Sequence, residues 1–247
     1  MCEWYVPLSG PAEALVRMTK VFISPELRVT SDGAGYYLWS RRVNNLTRPI
    51  DVLHAADALL PPLVAIMNIY GGLVGRVQAA GAFWRDEHGH RHGIGVASGT
   101  ARILSADGLE RLTRLDSSGA TLADRLCALP ERDPRVRRAL REMYAADPDW
   151  ARLYVLLELV ASDLRRGLAA RAGEWDAIAL QGWADAGILT RLKQTANHHR
   201  HGKHVQSRPD RISLDEARHV ARAVLWRWLE AKAEAAPRNF PESAADP

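Results

Sequence analysis

The chain has 247 residues, 47% of them hydrophobic and 25% charged, with a formal net charge of +4. A chain of this length buries a sizeable core without disulfides or a structural metal, and its composition excludes a disordered, collagenous or disulfide-framework protein. Only two cysteines, Cys2 and Cys127, and a start, MCEWYVPLSG, without the basic and apolar regions of a signal peptide, point to the cytoplasm.

In the first 50 residues, TKVFIS and GYYLWS are mixed apolar runs broken at Ser24-Pro25 and Asp32-Gly33, a pattern of strands joined by turns. IDVLHAADALLPPLVAIMNIY, from Ile50 to Tyr70, predicts a helix that Pro61 and Pro62 either kink or divide. His54 is read on its apolar face as a core histidine. No apolar run reaches the roughly 18 to 20 residues of a bilayer span, so no membrane contact is expected. LVGRVQAAGAFW and GIGVASGTARIL flank RDEHGHRH and predict a β-hairpin with its tip near Glu87 to His90. His88, His90 and His92 alternate, which suits either a metal site on one strand face or a solvated tip; Gly89 favours the turn.

After Ser105 the pattern is helical. ATLADRLCALPERD predicts a short amphipathic helix stopped at Pro130, and Asp133-Pro134 supplies an N-cap and a first-turn proline for the next. That helix turns Val136, Leu140 and Met143 inward and leaves Arg135, Arg138 and Arg141 as a basic cluster, a solvated face or a nucleic-acid contact. Asp147-Pro148-Asp149 opens WARLYVLLELVASDLRRGLAARA, predicted as the longest and central helix. EWDAIALQGWADAG predicts a shorter one with Trp175, Ile178 and Trp183 inward and Gly187 as C-cap. Ser213 and Glu216 form a capping box that starts a final helix running to about Ala235, with His219 as an exposed partner of Asp215. The expected fold class is α+β: a small antiparallel β part with one long helix over residues 1–105, a mainly α-helical bundle over 106–235, and a flexible tail over 236–247.

The phosphate-binding GxxxxGK-Ser/Thr, a GxGxxG after a strand, HExxH and paired CxxC motifs are all missing, so no cofactor is expected. The densest chemistry is TANHHRHGKH, which places His198, His199, His201 and His204 within seven positions. One-turn spacings there suit a metal, but Arg200 and Lys203 sit inside the cluster. At roughly 6 Å and an effective dielectric near 20, each cation repels a divalent ion by about 5 kcal/mol. RNA cleavage by internal attack asks instead for a base, an acid and a cation or amide beside the developing charge, which histidine, arginine and asparagine supply without a metal.

The run Asn197, His198, His199, Arg200, His201, Gly202, at the end of a helix and before a capped terminal helix, resembles the active-site helix end of the HEPN superfamily of ribonucleases and nucleotide-binding modules. Ala196 stands where that motif carries its arginine. The region from Trp175 to Leu229 is also similar to the C-terminal part of uncharacterised bacterial proteins with a TAN segment, an RHG-like turn and an SLDEA-type helix start. The resemblance implies RNA or a nucleotide as partner, with His201 as general base or acid, Arg200 as phosphate stabiliser, Asn197 orienting one of them, and His198 beside them. Arg191, Lys193, Lys203 and His204 are the accompanying phosphate-contacting candidates, and cleavage, if present, is that of a metal-independent endoribonuclease. Two other readings stay open: a non-catalytic helical interaction protein or homodimer, with an apolar patch around Trp183 and Trp226, and histidine-mediated metal binding.

Overall fold

The computed structural model describes residues 3–71, 73–74, 76–85, 91–95, 102–103, 109–115, 119–144, 148–166, 175–200 and 211–235. It is α+β, as the sequence predicts. In chain order it runs β1 (Trp4–Ser9), α1 (Ala12–Val21), β2 (Leu27–Ser31), β3 (Tyr36–Ser40), α2 (Arg41–Asn44), α3 (Pro49–Gly71), β4 (Leu73–Val74), β5 (Gln78–Ala79), β6 (Gly81–Arg85), β7 (Arg91–Gly95) and β8 (Arg102–Ile103). Helices follow: α4 (Leu109–Thr113), α5 (Leu122–Arg132), α6 (Pro134–Tyr144), α7 (Trp150–Arg165), α8 (Asp176–Leu180), α9 (Ala186–Arg200) and α10 (Leu214–Ala235).

The main sheet has the order β2-β3-β1-β6-β7, with β5 also paired to β1 and every pairing antiparallel. Its centre is β1, where Trp4, Val6 and Leu8 alternate inward and are buried. The predicted hairpin is the β6–β7 pair, in register from Gly81 opposite Gly95 to Arg85 opposite Arg91. A Cβ at Gly93 would lie inside contact distance of the Ala82 carbonyl, so the close approach of these strands requires glycine there. His92 faces Trp84 with the rings stacked at 5.3 Å; the tip with His88 and His90 lies outside the described residues.

One stretch read as strand and turn is a helix. In α1, Ala14, Leu15, Met18 and Val21 are buried at helical spacing, a 3.6-residue pattern that the β-branched run TKVFIS obscures.

The longest helix is α3, 23 residues against 16 for α7. It runs unbroken through Pro61 and Pro62. From Leu63 to Tyr70 every residue is buried, as expected of a helix apolar on all sides. It touches the sheet at β1, β5 and β6 and the bundle at α6, α10 and α5, so one continuous core passes through it. By length and composition Pro49–Tyr70 could also cross a membrane, with a mean hydropathy of 1.6 in a window of which 50% is buried here.

Sequence signals locate most bundle helices. Thr121 and Asp124 form a full capping box at the start of α5, and α5 continues past Pro130 to Arg132 rather than stopping there, with the proline buried in its last turn. Asp133 Oδ1 accepts from the Arg135 and Val136 N–H groups at the start of α6, and Asp149 caps α7. Further on, α8 is only 5 residues long; the chain turns at Gly182, whose φ is +68°, and Asp185 accepts from Ile188 N–H to open α9. Gly187 therefore lies in the first turn of α9 instead of closing α8. Ser213 accepts from Glu216 N–H at the start of α10, which ends at Ala235 as predicted. Asp215 pairs with Arg218 at 3.0 Å, not with His219, which is exposed. His54 is exposed too, outside the core.

Candidate nucleotide site on helix α9

The helix α9 carries the polar candidates because it is amphipathic in three stripes. Leu189, Leu192 and Ala196 are buried against α7, whose own buried face includes Leu153, Leu157 and Val160. Beside them, Thr190, Lys193, Gln194 and Asn197 follow one another at three- and four-residue spacing and share a second face. The run beginning at Asn197 is read from sequence as a helix end, and α9 extends through Asn197, His198 and His199 to Arg200.

That second face opens on a cavity of about 340 Å³, closed on its other side by α8 through Trp175, Asp176 and Ala179. Trp175 is buried and packs against Tyr154 of α7, ring centroids 5.4 Å apart. The Lys193 ammonium lies 5.9 Å from the centre of the Trp175 ring, within cation–π reach. The Trp175 indole N–H is buried and, among the described residues, has no hydrogen-bond partner, a costly state for a polar group. Thr190 has its hydroxyl turned to the Ala186 carbonyl at 2.8 Å, and the other polar side chains lining the cavity are Lys193, Gln194, Asn197 and Asp176.

The structure therefore brings Lys193 and Asn197 to one cavity. It puts His198 and Arg191 elsewhere: seven residues apart, they lie on a neighbouring line of the helix, about 10 Å apart along its axis, and neither lines that cavity. His199 stacks flat on Trp150 at 5.1 Å with 5° between planes, and His198 meets His199 edge to face at 6.1 Å. The side chain of Arg200, together with His201, Lys203 and His204, lies outside the described residues. Among the described residues no three His, Cys, Asp or Glu side chains converge as a metal site.

The residue missed from sequence is Trp175. It reads as an ordinary core tryptophan, and nothing local signals that α8 would fold its ring against the polar face of α9. Trp183 and Trp226, named for a docking patch, are half-buried and packed on the core, Trp226 against Tyr70 at 4.8 Å. Compared with protein-family models, curated proteins and solved structures, the chain matches none.

Proposed function

We propose that this chain is a nucleotide- or RNA-binding module resembling HEPN domains, and that the α8–α9 cavity is its contact site. The observation that carries this reading is the convergence of Lys193, Asn197 and Trp175 on one cavity of about 340 Å³. A phosphate needs a cation and amide donors, and a base needs an aromatic surface and an amide edge. Lys193 and Asn197, chosen from sequence for phosphate contact and for orienting a reacting group, supply the polar half; Trp175 supplies the aromatic half. The basic run from Arg200 to His204 follows directly in the chain and would continue the phosphate track.

The test is fluorescence anisotropy with a labelled single-stranded RNA on the full chain. Lys193→Ala is expected to weaken binding about tenfold and to lower the salt slope by roughly one unit, since one released counterion is lost. Binding indifferent to salt and to both Lys193→Ala and Asn197→Ala would remove the proposal. In the catalytic version His201→Ala abolishes cleavage of the same RNA while leaving its binding intact; cleavage that survives the substitution assigns the proton transfer elsewhere.

A further inference from the structure

A second cavity, of about 490 Å³, lies between α3, α5 and α6 and shares no lining residue with the α8–α9 cavity. Its α3 wall contains Asp57, Ala58, Pro61 and Pro62. In a helix each carbonyl accepts from the N–H four residues on. Pro61 and Pro62 have no N–H, so the carbonyls of Asp57 and Ala58 lose that donor, and both residues line the cavity. This wall is rich in acceptors: two released carbonyls and the Asp57 carboxylate.

The facing elements supply cations. Arg42 is engaged by Glu131 at 2.6 Å, and Arg137 donates its Nε–H to the Pro130 carbonyl at 2.7 Å. Arg141 and Asp57 differ from these two: among the described residues neither forms an ion pair or hydrogen bond, with each other or with anything else, although both line the same cavity. Leu63 at its back is buried, and Leu59 and Pro130 add apolar surface.

We propose that this cavity binds a small zwitterion with an apolar body, of dipeptide size. Its ammonium sits against Asp57 and the two released carbonyls, its carboxylate against the Arg141 guanidinium, and its side chains on the leucine and proline surface. The class follows from complementarity. An ammonium has three donors for an acceptor-only wall, and a carboxylate matches the planar fork of an arginine. A plain anion would meet Asp57 with nothing to offer it, and a plain cation would leave Arg141 unused. The volume lies within the usual range for small-molecule sites.

The experiment is calorimetric titration of the full chain with leucyl-leucine, its N-acetyl derivative and its C-terminal amide. The expected result is binding of the free dipeptide, with affinity lower by about tenfold or more for each blocked form. Asp57→Asn and Arg141→Gln should each weaken binding to a similar degree. Both residues are exposed, and Arg138→Gln, on the same helix but outside the cavity, should leave it unchanged. Equal binding of the blocked forms, no binding of the free dipeptide, or a response of Arg138→Gln matching that of Arg141→Gln would each overturn the proposal.

Discussion

At the residue scale, a cluster of charged and polar contacts joining three helices surrounds Asp163. Its carboxylate accepts from Trp228 Nε1 at 2.9 Å and Lys232 Nζ at 2.7 Å, both on α10, and from Arg135 Nη1 at 3.3 Å. Lys232 also reaches Asp133 at 2.8 Å, so two carboxylates and two cations tie together α6, α7, α10 and the α5–α6 junction. Burial alone would push Asp133 up, but the Lys232 ammonium and the N–H groups of Arg135 and Val136 hold its carboxyl below the ordinary carboxylate range. Burial likewise opposes the Lys232 ammonium, and its bonds to Asp133 and Asp163 outweigh that and raise its pKa. A depressed acid stabilises fully above its unfolded value near about 3.9 and loses that contribution as pH falls through the folded value. A raised lysine stabilises below its unfolded value near about 10.4 and loses that contribution as pH rises through the folded one. The urea midpoint should therefore fall at both acid and alkaline pH. Lys232→Met should lower stability by about 2 kcal/mol at neutral pH and flatten the alkaline limb. That figure lies below the range for a fully buried pair because the Lys232 side chain is 26% exposed. A denaturation series across pH 3 to 11 would show it; an unchanged alkaline limb would mean the pair is only superficial.

At the scale of elements, α3 is the instructive case. A proline inside a helix removes a hydrogen bond and crowds the carbonyl four residues back, at a cost of about 3 kcal/mol. Two adjacent prolines read naturally as a break, yet the buried run from Leu63 to Tyr70 holds the helix together. Pro61→Ala would restore a donor for the Asp57 carbonyl at the expense of a stiffer unfolded chain, and these effects oppose each other. The expected net gain is about 1 kcal/mol in chemical denaturation; a loss would show that the helix has already bent to suit the ring. The capped elements α6, α7 and α10 were legible at their starts because each cap is a local hydrogen bond between residues two or three apart. The ends of α5 and α8 were misread because Pro130 and Gly187 signal different things in a last turn and in a first turn, and sequence does not say which turn they occupy.

At the scale of the molecule, the sheet and the bundle share one core, with α3 between them. The sequence divides into a β-containing part and a helical part, but that boundary is not a break in packing. Ile66 is fully buried in α3, and Ile66→Ala should cost about 2–5 kcal/mol. It should also shift the far-UV and near-UV unfolding transitions together. Two separated transitions would show the parts to be independent.

Composition and periodicity were enough to determine an α+β protein, its antiparallel hairpin and its helical second half, because each rests on contacts between near neighbours in the chain, while Lys193 and Asn197 became candidates through the motif resemblance around them. Only the tertiary structure decided that those two residues line one cavity with Trp175, that His198 and Arg191 do not join them, and that Asp57, Ala58, Pro61 and Pro62 line a second cavity. Those relations arise where α8 meets α9 and where α3 meets α5 and α6, and no local spacing in the sequence encodes which faces two packed helices present to each other.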